Sequence, residues 1–127
     1  MTLIDSNNVN MYYGDPVVHI VFDEDIELGF SQIREIFGQA EKLSGHKPHV
    51  ILAEVKADVS ITQAGRRFGL RKEEAPFHRG TAVVIKKELY PLAVAFLNYT
   101  PNLEYPFRVF ADKEKAIRWL NGISVWG

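Results

Sequence analysis

Apolar positions recur along this chain at two spacings, about every second residue and about every third or fourth, and the switches between them outline its elements. Residues 9–13 (VNMYY) alternate in part, break at Gly14, Asp15 and Pro16, and resume as 17–22 (VVHIVF), which predicts a β-hairpin. Ile26, Phe30, Ile33, Phe37, Ala40 and Leu43 then lay one apolar stripe along a helix whose other face carries Glu27, Arg34, Glu35, Glu41 and Lys42. Asp23, Glu24 and Asp25 suit the positive amino end of that helix, and Gly45 and Pro48 suit its termination. Residues 50–55 (VILAEV) are apolar nearly throughout, as in a strand covered on both faces of a parallel sheet. Ser60 and Gln63 have the spacing of a capping box, so a second helix is expected from Ser60 to about Lys72. Residues 80–85 read as another buried strand, 89–99 as an apolar helix with Pro91 in its first turn, and 105–110 as a last strand. Asp112 is placed to cap a final helix with Ala116, Ile117 and Leu120 inward. The order β-β-α-β-α-β-α-β-α predicts an α/β fold, a mostly parallel five-stranded sheet with an antiparallel first strand.

Composition narrows this picture without naming an activity. At 127 residues, 46% hydrophobic and 24% charged, the chain suits one domain spanning residues 1–127. It has no cysteine, which removes disulfides, thiolate zinc sites and cysteine nucleophiles and fits a cytoplasmic location. No signal-like start or membrane-length apolar run is present in the sequence. The net charge of −1 conceals a segregation, because residues 1–55 hold nine acids and three bases whereas residues 56–87 hold eight bases and three acids. Glu73 and Glu74 interrupt the basic stretch around Arg66, Arg67, Arg71 and Lys72, and no aromatic residues interleave with it, so no nucleic-acid partner is expected.

Candidate chemistry is sparse. Nucleophile-elbow, phosphate-loop and dinucleotide patterns are missing. His46 and His49 are separated by a helix-breaking Pro48 and read, like His19 and His78, as histidines without a metal role. No metal, cofactor or catalytic residue is therefore expected. Ligands of open α/β sheets collect beyond the carboxyl ends of the strands, which selects the loop after the 50–55 strand, with Asp58, Ser60, Thr62 and Arg66, as a ligand-binding or modifiable site. The 92–97 run leaves one apolar side uncovered by a sheet, and Leu92, Val94, Phe96 and Leu97 become candidates for a homodimer interface.

From about Val50 to Leu120 the chain resembles the uncharacterised bacterial SpoIIAA-like proteins, of STAS or SEC14 type. The resemblance rests on the buried strand, on Ala64-Gly65-Arg66-Arg67-Phe68, on Gly80-Thr81-Ala82-Val83-Val84, and on Pro106-Phe107-Arg108-Val109-Phe110 followed by Ala116-Ile117-Arg118-Trp119-Leu120. It implies a non-catalytic regulatory or protein-interaction module akin to anti-sigma-factor antagonists, with a regulatory protein as partner. The alternative it implies is a binder of small apolar ligands or lipids. Anti-sigma-factor antagonists carry a phosphorylatable serine in an Asp-Ser-Ser-Gly-like turn, and this chain has Ala57-Asp58-Val59-Ser60-Ile61-Thr62 there, without the paired serines or the glycine.

Overall fold

The computed structural model describes residues 9–23, 25–57, 59–61, 75–91 and 106–123. Strand β1 (Val9–Gly14) turns antiparallel into β2 (Val17–Phe22), as the hairpin pattern predicts. A short β3 (Ile26–Leu28) precedes α1 (Phe30–Leu43), and β4 (His49–Val55) follows. Then come β5 (Val59–Ile61), β6 (His78–Val84), a 3-10 turn (Lys87–Leu89), β7 (Phe107–Phe110) and α2 (Lys113–Asn121). The main sheet runs β1-β2-β4-β6-β7, parallel except for β1, and β3 pairs with β5 in a separate parallel ribbon. No helix among the described residues is long and apolar enough to cross a membrane.

The helices pack on opposite faces of the sheet and divide the core. Met11, Val18, Ile20, Ile51 and Ala53 meet Ile33, Ile36 and Ala40 of α1. Val50, Leu52, Ala82 and Phe110 meet Ala116 and Leu120 of α2. Alternation explains the split, because successive residues of β4 point to opposite faces and both faces are covered. At about 25 cal/mol per Å² of apolar surface, a fully buried leucine such as Leu52 contributes about 2 kcal/mol.

Three predicted features differ. Ile26 falls in step with the helical stripe, yet it opens β3; α1 begins four residues later behind Gly29, with no acid in its first turn, and the Gln32 side chain accepts from the Gly29 N–H. Ser60 is not a helix cap. It sits in the middle of β5 opposite Glu27, where the β-branched neighbours Val59 and Ile61 favour extended backbone over the capping-box geometry that its spacing with Gln63 suggested. Ile117 faces outward at 38% exposure, and the inward face of α2 is instead formed with the half-buried Trp119, three residues after Ala116 and beside Leu120. The Asp112 cap is as expected, its Oδ1 accepting from the Glu114 and Lys115 amides at 2.9 and 3.4 Å.

Candidate functional site

Polar chemistry gathers at both ends of the parallel strands, in different states. At the amino ends, α1 closes with Ser44, and Gly45 and His46 adopt left-handed backbone, φ 67° and 57°. The His46 N–H returns to the Glu41 carbonyl at 2.9 Å, and this tight reversal starts β4 directly beneath the last turn of α1. His49, the first residue of β4, thereby comes under Glu41, with Nε2 3.5 Å from Oε2. His49 is fully buried and Glu41 is 7% exposed.

The first residue of β6, His78, joins them. It pairs in register with His49, and the rings lie 5.9 Å apart. Between that pair and Ile51↔Thr81 the register shifts, a bulge that gives β6 one extra residue. The bulge turns His78 and Thr81 to the same face although they are three residues apart, and their Nε2 and Oγ1 atoms lie 2.9 Å apart. Gly80 lies within the bulge, where a Cβ would meet the tip of Ile123 at 2.7 Å. Phe37 of α1 sets its ring edge against His78 at 5.5 Å.

Hydrogen bonding fixes the protons here. The Lys47 carbonyl can only accept, so His49 Nδ1 carries a hydrogen toward it at 2.9 Å and Nε2 presents a lone pair to Glu41. Glu41 Oε1 accepts from the Phe77 amide at 3.4 Å. Burial pushes the Glu41 carboxyl up, against the Phe77 amide and the nearby His46 and Arg79 charges. Burial pushes His49 down, and Arg79 adds to that while the Lys47 hydrogen bond opposes it. His78 is lowered to about 3, chiefly by burial and secondly by His49 and Arg79. Glu41 Oε2 and His49 Nε2 thus face each other at 3.5 Å without a hydrogen bond between them, and burial disfavours charge on both. No metal-ligating cluster of three or more His, Asp or Glu occurs among the described residues.

Beyond the carboxyl ends of β6 and β7 lies a groove of about 470 Å³, lined by Lys87, Tyr90, Pro91, Arg108, Phe110, Ala111, Asp112 and Lys115. Arg108 and Phe110, two apart on β7, share a face, and the guanidinium carbon stands 5.2 Å from the Phe110 ring centre. Phe110 is buried against Trp119, their centroids 5.7 Å apart, so it is a fixed floor. Lys87, Arg108 and Lys115 have no carboxylate partner among the described residues. Asp112, the one acid among the groove's described lining residues, is occupied by the α2 amides. On the same side of the molecule, Lys113 reaches Glu54 at 2.8 Å and ties α2 to β4.

The residues predicted to form a site fare differently. Ser60 lies in β5, while Asp58, Thr62 and Arg66 are outside the described residues, as are the interface candidates Leu92, Val94, Phe96 and Leu97. His49 and His78, which lie just ahead of the strands predicted over 50–55 and 80–85, are buried strand residues, because each starts a strand beneath α1.

Residues 11–124 match the family described as Domain of unknown function (DUF7793). The chain belongs to this family. Among solved structures it is similar to an uncharacterised DUF3478-family protein with a SpoIIAA-like fold from Shewanella loihica PV-4, at 19% identity and a TM-score of 0.52, over 92% of this chain and 98% of that one. That similarity establishes the SpoIIAA-like α/β fold for this DUF7793 chain, and the mixed sheet order agrees with it. No curated protein matches the sequence.

Proposed function

We propose that this DUF7793 chain is a non-catalytic regulatory or interaction module that acts by binding, not by turnover. One observation carries the reading: the pair equipped for proton transfer, Glu41 and His49, is sealed from solvent, whereas the accessible groove offers Lys87, Arg108 and Lys115 over an aromatic floor and keeps the one carboxylate of its described lining engaged in a helix cap. General acid–base chemistry requires a group within hydrogen-bond reach of a substrate, and a buried pair beneath α1 has no such reach. Cations over apolar walls suit recognition of an anionic group. A turnover screen over ester, phosphate and glycoside substrates tests the reading. No saturable activity is expected, and saturable turnover abolished by one substitution overturns it.

Self-association belongs to the same proposal, on the strength of the unbroken apolar run from Leu92 to Leu97. Sedimentation equilibrium should show a dimer at high micromolar concentration that Val94→Asp and Leu97→Asp disrupt in a chain that still folds; a monomer throughout refutes it.

A further inference from the structure

The groove between the β6–β7 edge and α2 points to a particular ligand chemistry. Its three cations come from three separate elements, the 3-10 turn, β7 and α2, and converge on one apolar surface; none is ion-paired among the described residues, and the one acid of the described lining, Asp112, is held by α2 amides. An unbalanced set of cations beside a hydrophobic wall is complementary to a molecule that is anionic at one end and apolar at the other. The wall is formed by Tyr90, Pro91 and Phe110, with the Arg108 guanidinium over the Phe110 ring at 5.2 Å. A volume of about 470 Å³ is on the scale of small-molecule sites. Glu88 and Glu114, exposed and next in sequence to Lys87 and Lys115 but not lining the groove, oppose a long polyanion running past it.

We propose that this groove is a binding site for a small aryl-bearing anion, a carboxylate or phosphate monoester, whose ring lies against Tyr90, Pro91 and Phe110 and whose charge meets Arg108, Lys115 and Lys87. The inference rests on the binding-module reading and deepens it by naming the ligand class. It is separable from that reading: turnover would refute the module and leave the groove's affinity untouched, while failure of the groove would leave a module that binds elsewhere.

Phenyl phosphate, inorganic phosphate, phenol and an eight-residue thymidine oligonucleotide serve as probes in titrations followed by amide chemical shifts of the full chain. Phenyl phosphate should shift amides of residues 87–90 and 107–115. Inorganic phosphate and phenol should each bind about tenfold more weakly, the loss of the ring contact or of the charge. Arg108→Gln and Lys115→Gln, both at exposed positions, should each weaken phenyl phosphate by about two- to fivefold, the size of one solvent-exposed ion pair. Lys42→Gln on the distant end of α1 should change nothing, with amide dispersion confirming that every variant folds. The inference is overturned if phenyl phosphate shifts other regions or none, if inorganic phosphate or phenol binds as well, if the oligonucleotide binds more tightly, or if neither groove substitution weakens binding.

Discussion

The two ends of the parallel strands hold comparable numbers of polar groups and use them oppositely. At the amino ends, Glu41, His49, His78 and Thr81 are buried and turned toward one another. At the carboxyl ends, Lys87, Arg108 and Lys115 face outward with no acidic partner among the described residues. Burial decides the difference. A group taken out of water must find its partner inside the fold and becomes part of stability, whereas an exposed cation keeps its hydration and remains open to a ligand.

Substitution at the buried end should therefore have the largest effect. Glu41→Ala leaves the His49 Nε2 without its acid and the Phe77 amide without its acceptor, and should cost about 3 kcal/mol in chemical denaturation. The double variant Glu41→Leu with His49→Leu should recover part of that loss, since an apolar pair leaves nothing unsatisfied. A loss below about 0.5 kcal/mol for Glu41→Ala, the level of an ordinary surface change, would erase the contrast between the ends.

Acid should find the same end. His49 and His78 have folded-state pKa values below the unfolded 6.5, so the unfolded chain binds more protons below that pH. Their contribution is present above pH 6.5 and is lost on acidification, for His78 continuing toward about pH 3. Each histidine adds a slope of up to about 1.4 kcal/mol per pH unit. Glu41 works the other way, because its raised pKa lets the folded chain take up a proton first as the pH falls toward 4.5. The half-buried His19, lowered mainly by burial, adds to the histidine side. Glu41→Gln should therefore steepen the loss of stability between pH 6.5 and 4.5, measured by denaturation across that range. An unchanged slope would mean that Glu41 does not titrate there.

Most of the frame, but neither site, is legible in the sequence, and the reasons are physical. The order of the main elements along the chain follows from local patterns: the hairpin break at Gly14 to Pro16, the apolar run of β4, and the Asp112 cap each depend on adjacent residues. The buried cluster does not. His49 follows Pro48 and precedes the apolar run, so it resembles loop, and its alternation with Ile51 and Ala53 is the only local sign that it shares their face. His78 and Thr81 share a face only because of a bulge, which no period of two reveals. The groove assembles residues from 87 to 115 and requires the β6–β7 pairing to bring them together. Ser60 misleads for the converse reason, since a capping pattern is local while the pairing with Glu27 that holds it extended is not.

Beneath the groove, Asp112→Ala sharpens the comparison with a smaller effect. Removing the cap frees the Glu114 and Lys115 amides and should cost about 0.5–2 kcal/mol. It also removes the one negative charge of the groove's described lining, so phenyl phosphate should bind more tightly even as the fold weakens. Stability and binding would then move in opposite directions at the carboxyl end. Parallel losses would show instead that the groove depends on the α2 start being intact.

The smallest effect belongs to the ion pair between Lys113 and Glu54. Its nitrogen and oxygen lie 2.8 Å apart, but the lysine side chain is 47% exposed, and solvent screens such a pair heavily. The carboxylate beside it raises the Lys113 pKa, so its contribution is held at neutral pH and lost only as the pH climbs above the usual lysine value of 10.5. Lys113→Met should cost about 0.2–1 kcal/mol at low salt. In about 1 M salt, where the screening length falls to about 3 Å, most of that cost should vanish. The cost of Glu41→Ala should persist in the same buffer, because counterions have no access to a pair beneath α1. Salt thus tells the two ends apart without any ligand: a Lys113→Met loss that survives high salt would place the carboxyl end in the same buried regime as the amino end, and the division between a sealed end and an open one would fail.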